Sequence, residues 1–233
     1  MMAVVAAIII PACVYASEVK IAIIDSGSAA HVDEAISFTA IPANTDLLHH
    51  GTVVAGLIRQ GAPDAKLYML QVCEKNEGTL KPSNEAVKEA IQWAIDHDVD
   101  IVNMSLVIHY DAQIDAFITK ASVEHGILFV AASGNNAMKS RFAMSPDGFV
   151  TKSSTSSIAS FPASNAHVIS VGGVNANGQL ARYSNRGSDV YADGKVAGQE
   201  GSSFSCARVS AKISKILAEQ STSNKEIILA YLR

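Results

Sequence analysis

Four polar side chains along the chain are of the types that nucleophilic catalysis uses. Asp25 follows an apolar run and precedes Ser-Gly, and His50 precedes Gly-Thr. Further on, Asn135 follows Ser-Gly, and Ser203 lies within Gly-Ser-Ser-Phe-Ser. A serine hydroxyl is a weak nucleophile, so it needs a base that takes its proton and an acid that orients the base. Histidine suits the base because its unperturbed pKa is near ~6.5. The set therefore indicates acyl-transfer chemistry.

Each of the four residues is predicted to lie at the end of an element, where a site can form. Asp25 ends a strand, and open parallel sheets bind ligands at the carboxyl ends of their strands. His50 and Ser203 begin predicted helices, and Thr52 is expected to cap the first turn of the His50 helix. Backbone N–H groups at the start of the Ser203 helix favour an oxyanion. Asn135 follows another strand, and its amide is the expected second donor.

Each motif alone has a plain structural interpretation. Asp-Ser-Gly can be a turn or a cap, His-Gly-Thr an ordinary helix start, Gly-Asn-Asn a turn and Gly-Ser-Ser a flexible link. Their conjunction, in the chain order Asp, His, Asn, Ser, resembles the subtilisin family of serine proteases (subtilases, peptidase S8). The α/β-hydrolases have the order Ser, acid, His, and their nucleophile elbow needs a glycine where this chain has Ser205.

The resemblance extends from Val19 to Ala218. The run Trp93-Ala94-Ile95, followed by 99–106, is similar to the helix and substrate-lining strand of the family. By motif position, it implies that Asp25 is the orienting acid and His50 the base. It also implies that Ser203 is the nucleophile and Asn135 the oxyanion donor. The residues that it places along the substrate are Ser105, Leu106, Val107 and Gly134.

The family resemblance implies a serine endopeptidase that hydrolyses polypeptides through an acyl-enzyme. Two alternatives stay open: a catalytically silent binding protein with the same fold, and an esterase that uses the same site. The chain departs from the family at Val107 and Ile108, where two glycines are usual. Both side chains are expected to narrow the first specificity pocket, so that small P1 side chains are preferred.

Short apolar segments alternate with segments of helical periodicity, and this alternation predicts an α/β fold. We expect three layers, with a mostly parallel central sheet and helices on both faces. Residues 139–160, rich in Ser and Thr, are expected to form a long surface loop near the site. The predicted strands are 19–24, 65–72, 100–104, 127–132 and 168–171, and the predicted helices are 50–60, 84–97, 111–125, 203–219 and 224–232.

The composition is that of one compact domain. Of the 233 residues, 48% are hydrophobic and 17% charged, which excludes a disordered chain. The net charge is −4, and the sequence has no dense Lys/Arg run of the kind that binds nucleic acid. The histidines lack metal-ligand spacing, and an EF-hand-like loop is missing. No cofactor is therefore expected, although calcium stays open.

Residues 1–16 carry no charged side chain and include an apolar run at 3–10. They predict a signal peptide that is cleaved after Ala16, and hence a secreted or periplasmic protein. The run is shorter than the ~20 residues of a membrane span. A lipid anchor at Cys13 is disfavoured because Pro11 fits that pattern poorly, and a buried N-terminal strand is the structural alternative. Residues 17–233 then form the catalytic domain without an evident prodomain. Two alternatives stay open: the domain folds unaided, or a separate chaperone or inhibitor protein is its partner.

Two cysteines, Cys73 and Cys206, remain after the predicted cleavage. Two cysteines permit one disulfide, but the sequence does not show that they meet. The alternative is that both act as small apolar residues.

Overall fold

The structure is a computed structural model that describes residues 18–137, 158–220 and 222–232, together with the backbone of residues 143–144 and 150–151. The predicted signal peptide, Cys13 and most of the predicted loop 139–160 lie outside the described residues. Within the described parts, the chain forms strands β1 (Lys20–Asp25), β2 (Glu34–Ser37), β3 (Lys66–Gln71), β4 (Cys73–Asn76), β5 (Thr79–Pro82), β6 (Ile101–Met104), β7 (Leu128–Ala132), β8 (Ala143–Met144), β9 (Val150–Thr151), β10 (Val168–Val174), β11 (Val190–Asp193), β12 (Lys195–Val196) and β13 (Gln199–Glu200), and helices α1 (His50–Gly61), α2 (Asn84–Asp96), α3 (Ala112–His125), α4 (Ser202–Gln220) and α5 (Lys225–Leu232).

Seven of these strands form one sheet in the order β11-β10-β7-β6-β1-β3-β2. Every ladder in that sheet is parallel, so the carboxyl ends of the strands share one edge. The five predicted strands and the five predicted helices are confirmed to within a few residues at their ends. The edge strands β2 and β11 were not predicted, because both are short and only partly buried.

Side chains that alternate along the central strands pack into two separate cores. Ile21 and Ile23 of β1 pack on one face with α1, α4 and α5. Ala22 and Ile24 pack on the other face with α2 and α3. Since consecutive residues of a strand point to opposite faces, one apolar run supplies both cores. The three-layer α/β fold is therefore confirmed.

Cys73 and Cys206 are both free, buried thiols. Burial raises the pKa of each thiol to about 12, so both stay protonated at neutral pH. Cys206 Sγ donates to the Oδ1 atom of Asn103 at 3.2 Å. Of the two interpretations from sequence, the one without a disulfide is confirmed.

The described helices include none that is both long and apolar enough to cross a membrane. The longest of them, α4, packs along the sheet and against α1.

The buried centre of β1 makes a direct test of the two-core architecture. Ile23 is fully buried, whereas Ile227 on α5 is 45% exposed. We expect Ile23→Ala to lower the free energy of unfolding by about 2–5 kcal/mol, because it leaves a cavity. The matched change Ile227→Ala should cost less than about 1 kcal/mol. Urea unfolding followed by circular dichroism measures both, and equal losses would contradict the assignment of the core.

Candidate active site

Asp25 and His50 form the best-defined contact of the site. Asp25 is the last residue of β1 and is only 3% exposed, and His50 is the first residue of α1. His50 Nδ1 lies 2.8 Å from Asp25 Oδ1. Because the carboxylate accepts the Nδ1 proton, Nε2 is left as an acceptor, as a general base requires. The His50 ring lies 5.9 Å from the ring of Phe204, so it faces the first turn of α4.

The pKa of His50 is raised above its ordinary value. The charge of Asp25 is the main cause, burial of the ring opposes it, and the hydrogen bond to Asp25 and the charge of Asp46 add to the rise. The pair therefore favours the imidazolium, which is the form that exists after the base has taken a proton.

The backbone at the start of α1 passes very close to β1. A Cβ on Gly51 would lie 2.1 Å from the carbonyl oxygen of Gly27 and 3.2 Å from Asp25 Oδ1. Only glycine fits there, and the close approach brings His50 to Asp25. His49 precedes the helix in the left-handed conformation, with φ of 54°.

Thr52 does not cap the helix, so that prediction was wrong. Its hydroxyl accepts the N–H of Ala29, at 3.1 Å. The first turn is capped instead by Asp46, whose Oδ2 accepts the Thr52 N–H at 2.8 Å, and by Ser26, whose hydroxyl accepts the Gly51 N–H at 3.1 Å. Asp46 thus accepts a first-turn N–H, as an N-cap side chain does. It lies six residues before Thr52, however, whereas an N-cap side chain usually bonds an N–H that is two or three residues farther along the chain.

Ser203, the second residue of α4, faces the segment that follows β6. Its hydroxyl donates to the carbonyl of Ser105 at 2.8 Å, and the Ser105 hydroxyl donates to the carbonyl of Ser203 at 2.8 Å. Among the described residues, no hydrogen bond joins Ser203 to His50.

Asn135 lies just beyond β7 and is fixed by the residue before the candidate nucleophile. Its Oδ1 accepts from both the N–H and the hydroxyl of Ser202, each at 2.9 Å. With Oδ1 occupied, the Nδ2 amide is the group available to an oxyanion, and it borders Gly201. Gly134 has φ of 105°, a conformation that favours glycine, and its N–H donates to Ser202 Oγ at 3.2 Å.

Two asparagines that sequence analysis did not single out hold this arrangement. Asn103, fully buried on β6, donates to Ser105 Oγ and accepts from Ser210 Oγ on α4, each at 3.0 Å. Asn185 donates to the carbonyl of Ser133 at 2.8 Å and so supports the turn that carries Asn135. No spacing rule identifies either residue, because their partners are distant in sequence.

The segment after β6 presents only some of its side chains. Leu106 is half-buried and Val107 is 41% exposed. Ile108 is buried in the core that contains α2 and α3, and its N–H donates to the carbonyl of Phe161 at 3.1 Å. Of the two side chains that are expected to narrow the first specificity pocket, Val107 is therefore the exposed one and Ile108 the buried one.

The described residues include no cluster of three or more His, Cys, Asp or Glu side chains that could hold a metal ion. The predicted site residues thus form three hydrogen-bonded groups at one edge of the sheet: Asp25 with His50, Ser203 with Ser105, and Asn135 and Gly134 with Ser202.

A family model described as the subtilase family, Peptidase_S8, matches residues 16–232. The chain belongs to the subtilase family. The match includes all of the residues of the candidate site and confirms the family resemblance of the motifs.

Curated relatives of this subtilase include two proteins of Bacillus subtilis (strain 168). The minor extracellular protease Epr is 33% identical over 189 residues, which are 74% of this chain and 26% of Epr. Subtilisin E is 30% identical over 190 residues, which are 75% of this chain and 45% of subtilisin E. The chain thus spans less than half the length of these two relatives.

Among solved structures, this subtilase is similar to a lanthipeptide protease. The TM-score is 0.69 at 18% identity, and the match covers 91% of this chain and 78% of that one. At this identity the similarity shows the fold alone.

The His50–Asp25 pair predicts a pH-dependent contribution to stability. The folded-state pKa of His50 lies above the ordinary value of 6.5, so the pair stabilises the fold fully below that value. The contribution is lost as the pH rises through the folded-state pKa. We expect His50→Gln to lower the free energy of unfolding more at pH 5.5 than at pH 9. Urea unfolding at both pH values measures this, and in an Asp25→Asn background the dependence on pH should diminish. An equal loss at both pH values in the parent background would contradict the pairing.

Proposed function

We propose that this subtilase is a serine endopeptidase that hydrolyses peptide bonds through an acyl-enzyme. The observation that supports this most directly is the 2.8 Å contact of His50 Nδ1 with Asp25, beside a helix whose second residue is the candidate nucleophile Ser203. An oriented base, a serine hydroxyl and the N-terminus of a helix are the parts that acyl transfer uses.

In the proposed reaction, Ser203 Oγ attacks the scissile carbonyl while its proton passes to His50 Nε2. Asp25 keeps the Nδ1–H oriented and stabilises the imidazolium. The Nδ2 amide of Asn135 and the N–H of Ser203 bind the oxyanion. The imidazolium then protonates the leaving amine as the C–N bond breaks. A water molecule, deprotonated by His50, attacks the ester carbonyl. The bond to Ser203 Oγ then breaks, His50 returns the proton to Ser203 Oγ, and the acid is released. Only groups of this chain and water take part, and no cofactor belongs to the proposal.

We further propose that the protein acts outside the cytoplasm, as a secreted or periplasmic enzyme. Residues 1–16 have the uncharged, apolar composition and the small residue at Ala16 that signal peptidase accepts. The related Epr is named an extracellular protease. We also propose that a separate chaperone or inhibitor protein is a partner of this chain.

The direction of the Ser203 hydroxyl, toward Ser105 and not His50, favours one alternative, a catalytically silent binding protein. Labelling with a fluorophosphonate distinguishes the two. We expect the full chain to be labelled and Ser203→Ala to abolish labelling, because an activated hydroxyl is what the reagent needs. Ser205→Ala is the matched control and should keep the label, since the Ser205 hydroxyl donates to the Ala192 carbonyl.

If the folded parent is not labelled, the protein is silent. Labelling of Ser203→Ala would contradict the assignment of the nucleophile. Turnover of matched peptide and ester substrates then separates the endopeptidase from an esterase, which would cleave only the ester.

The expected preference for a small P1 residue depends on the side chain of Val107. Its side chain is 41% exposed and follows Ser105, whose carbonyl faces the nucleophile. We expect peptides with Ala or Gly at P1 to have a higher kcat/KM than the same peptides with Phe or Leu. Val107→Gly should raise the ratio for Phe over Ala by about tenfold or more, since a pocket contact of this size discriminates by that order.

Ile108→Val is the matched control for the P1 experiment. Ile108 is buried in the core, so this change should leave the ratio unaltered. A parent enzyme that prefers Phe or Leu, or an equal response to both substitutions, would remove Val107 from the specificity pocket.

A further inference from the structure

A second carboxylate, Asp46, lies behind the Asp25–His50 pair. It is 7% exposed, in the loop that leads into α1. Its Oδ1 accepts from the Ser26 hydroxyl and its Oδ2 from the Thr52 N–H, both at 2.8 Å. With both oxygens bonded to different elements, the carboxylate is held in one orientation. Asp46 therefore ties the end of β1 to the start of α1.

The Ser26 hydroxyl lies between the two carboxylates and has one proton to give. Ser26 Oγ is 2.8 Å from Asp46 Oδ1 but 3.2 Å from Asp25 Oδ1, so the shorter bond assigns the proton to Asp46. The Gly51 N–H donates to the same Ser26 oxygen. Asp25 Oδ1 then receives the Ser26 N–H at 2.7 Å and the His50 ring, while its buried Oδ2 has no partner among the described residues.

A carboxylate that accepts fewer donors keeps more of its negative charge available to a neighbouring cation. By drawing the Ser26 proton away, Asp46 leaves Asp25 as a stronger partner for the His50 imidazolium. By capping Thr52, it also fixes the turn from which His50 projects. The two effects act on the same ring, one through its charge partner and one through its backbone.

We propose that Asp46 is a positioning residue for this site, which acts through Ser26 and the first turn of α1 to keep Asp25 and His50 paired. The sequence resemblance assigned it no role, and it does not contact the reacting atoms.

The charged and titratable groups around the pair are few in the described structure. Asp25 on β1 and Asp46 before α1 both act on His50, and His49 is its chain neighbour. From β4, the Cys73 thiol is near enough for both carboxylates to add to the burial that raises its pKa to about 12, so it is neutral. From α4, the ring facing His50 is that of Phe204, which carries no charge. Asp46 is therefore the one carboxylate besides Asp25 whose removal is expected to change the field at His50.

The variant Asp46→Asn removes the charge and keeps the shape. Its amide oxygen can still accept the Thr52 N–H, and its NH₂ group would donate to Ser26 Oγ. The Ser26 proton would then turn to Asp25, the nearer remaining acceptor. Both changes weaken the pull of Asp25 on the imidazolium, so His50 should titrate at a lower pH.

The first test is an NMR titration of the His50 ring in the full chain, with Ser203→Ala present to prevent self-cleavage. We expect a lower midpoint for Asp46→Asn than for the parent. Asp33→Asn is the matched control, because Asp33 also accepts a backbone N–H, that of Leu67 at 2.8 Å, but pairs with Arg59 in the last turn of α1. It should leave the midpoint unchanged. An unchanged midpoint in folded Asp46→Asn, or an equal shift in Asp33→Asn, overturns the proposal.

The second test is kinetic and rests on the proposed function. In the enzyme with Ser203 intact, Asp46→Asn should lower kcat about tenfold, because the imidazolium that forms during the reaction loses part of its stabilisation, with little change in KM. The acidic limb of the pH profile of kcat/KM should move to lower pH. A loss of thermal stability without a change in that limb would mean a merely structural role and would overturn the proposal.

The tests also distinguish a variant that fails to fold from a failure of the proposed function. If Asp46→Asn does not fold, Asp46→Ser replaces it, because serine keeps an oxygen for the Thr52 N–H and lacks the charge. If the parent hydrolyses no peptide, the proposed function fails, but the NMR midpoint still decides whether Asp46 acts on His50.

Discussion

The hydrogen bond between Asp25 and His50 is the contact on which the rest of the site depends. It requires a buried carboxylate at the end of β1 and an imidazole at the first residue of α1. Gly51 makes the close approach of these two elements possible. Burial of the pair costs hydration free energy, which is offset only when the partners and their remaining hydrogen bonds are well aligned. The network around Asp25 therefore has to be rigid.

Much of this arrangement was predictable from sequence, for physical reasons. The buried parallel strands are nearly continuous apolar runs, so β1 and β7 stand out in the chain. Parallel ladders place all carboxyl ends at one edge, so polar residues that follow such runs, Asp25 and Asn135, converge without any knowledge of tertiary contacts. The short edge strands β2 and β11 lack that apolar run, and their pairing is decided by the neighbouring strand.

What escaped prediction depends on contacts between residues that are distant in sequence. Ser105 and Ser203 exchange hydrogen bonds across 98 positions, so the direction of the Ser203 hydroxyl has no local determinant. Asp46 caps the first turn of α1 from outside the usual N-cap position, and the hydroxyl of Thr52, the expected cap, accepts the N–H of Ala29 instead. Short motifs indicate which groups are present. The donors and acceptors that orient those groups come from other elements.

The opposite orientations of Val107 and Ile108 have a consequence for how the proposed enzyme can diverge. The Val107 side chain meets solvent near the candidate nucleophile, and that of Ile108 is buried among the apolar residues under α2 and α3. Because adjacent positions belong to different environments, replacing the outward one leaves the internal packing intact. In the proposed enzyme, substrate preference and thermal stability can therefore evolve through separate substitutions at two adjacent positions.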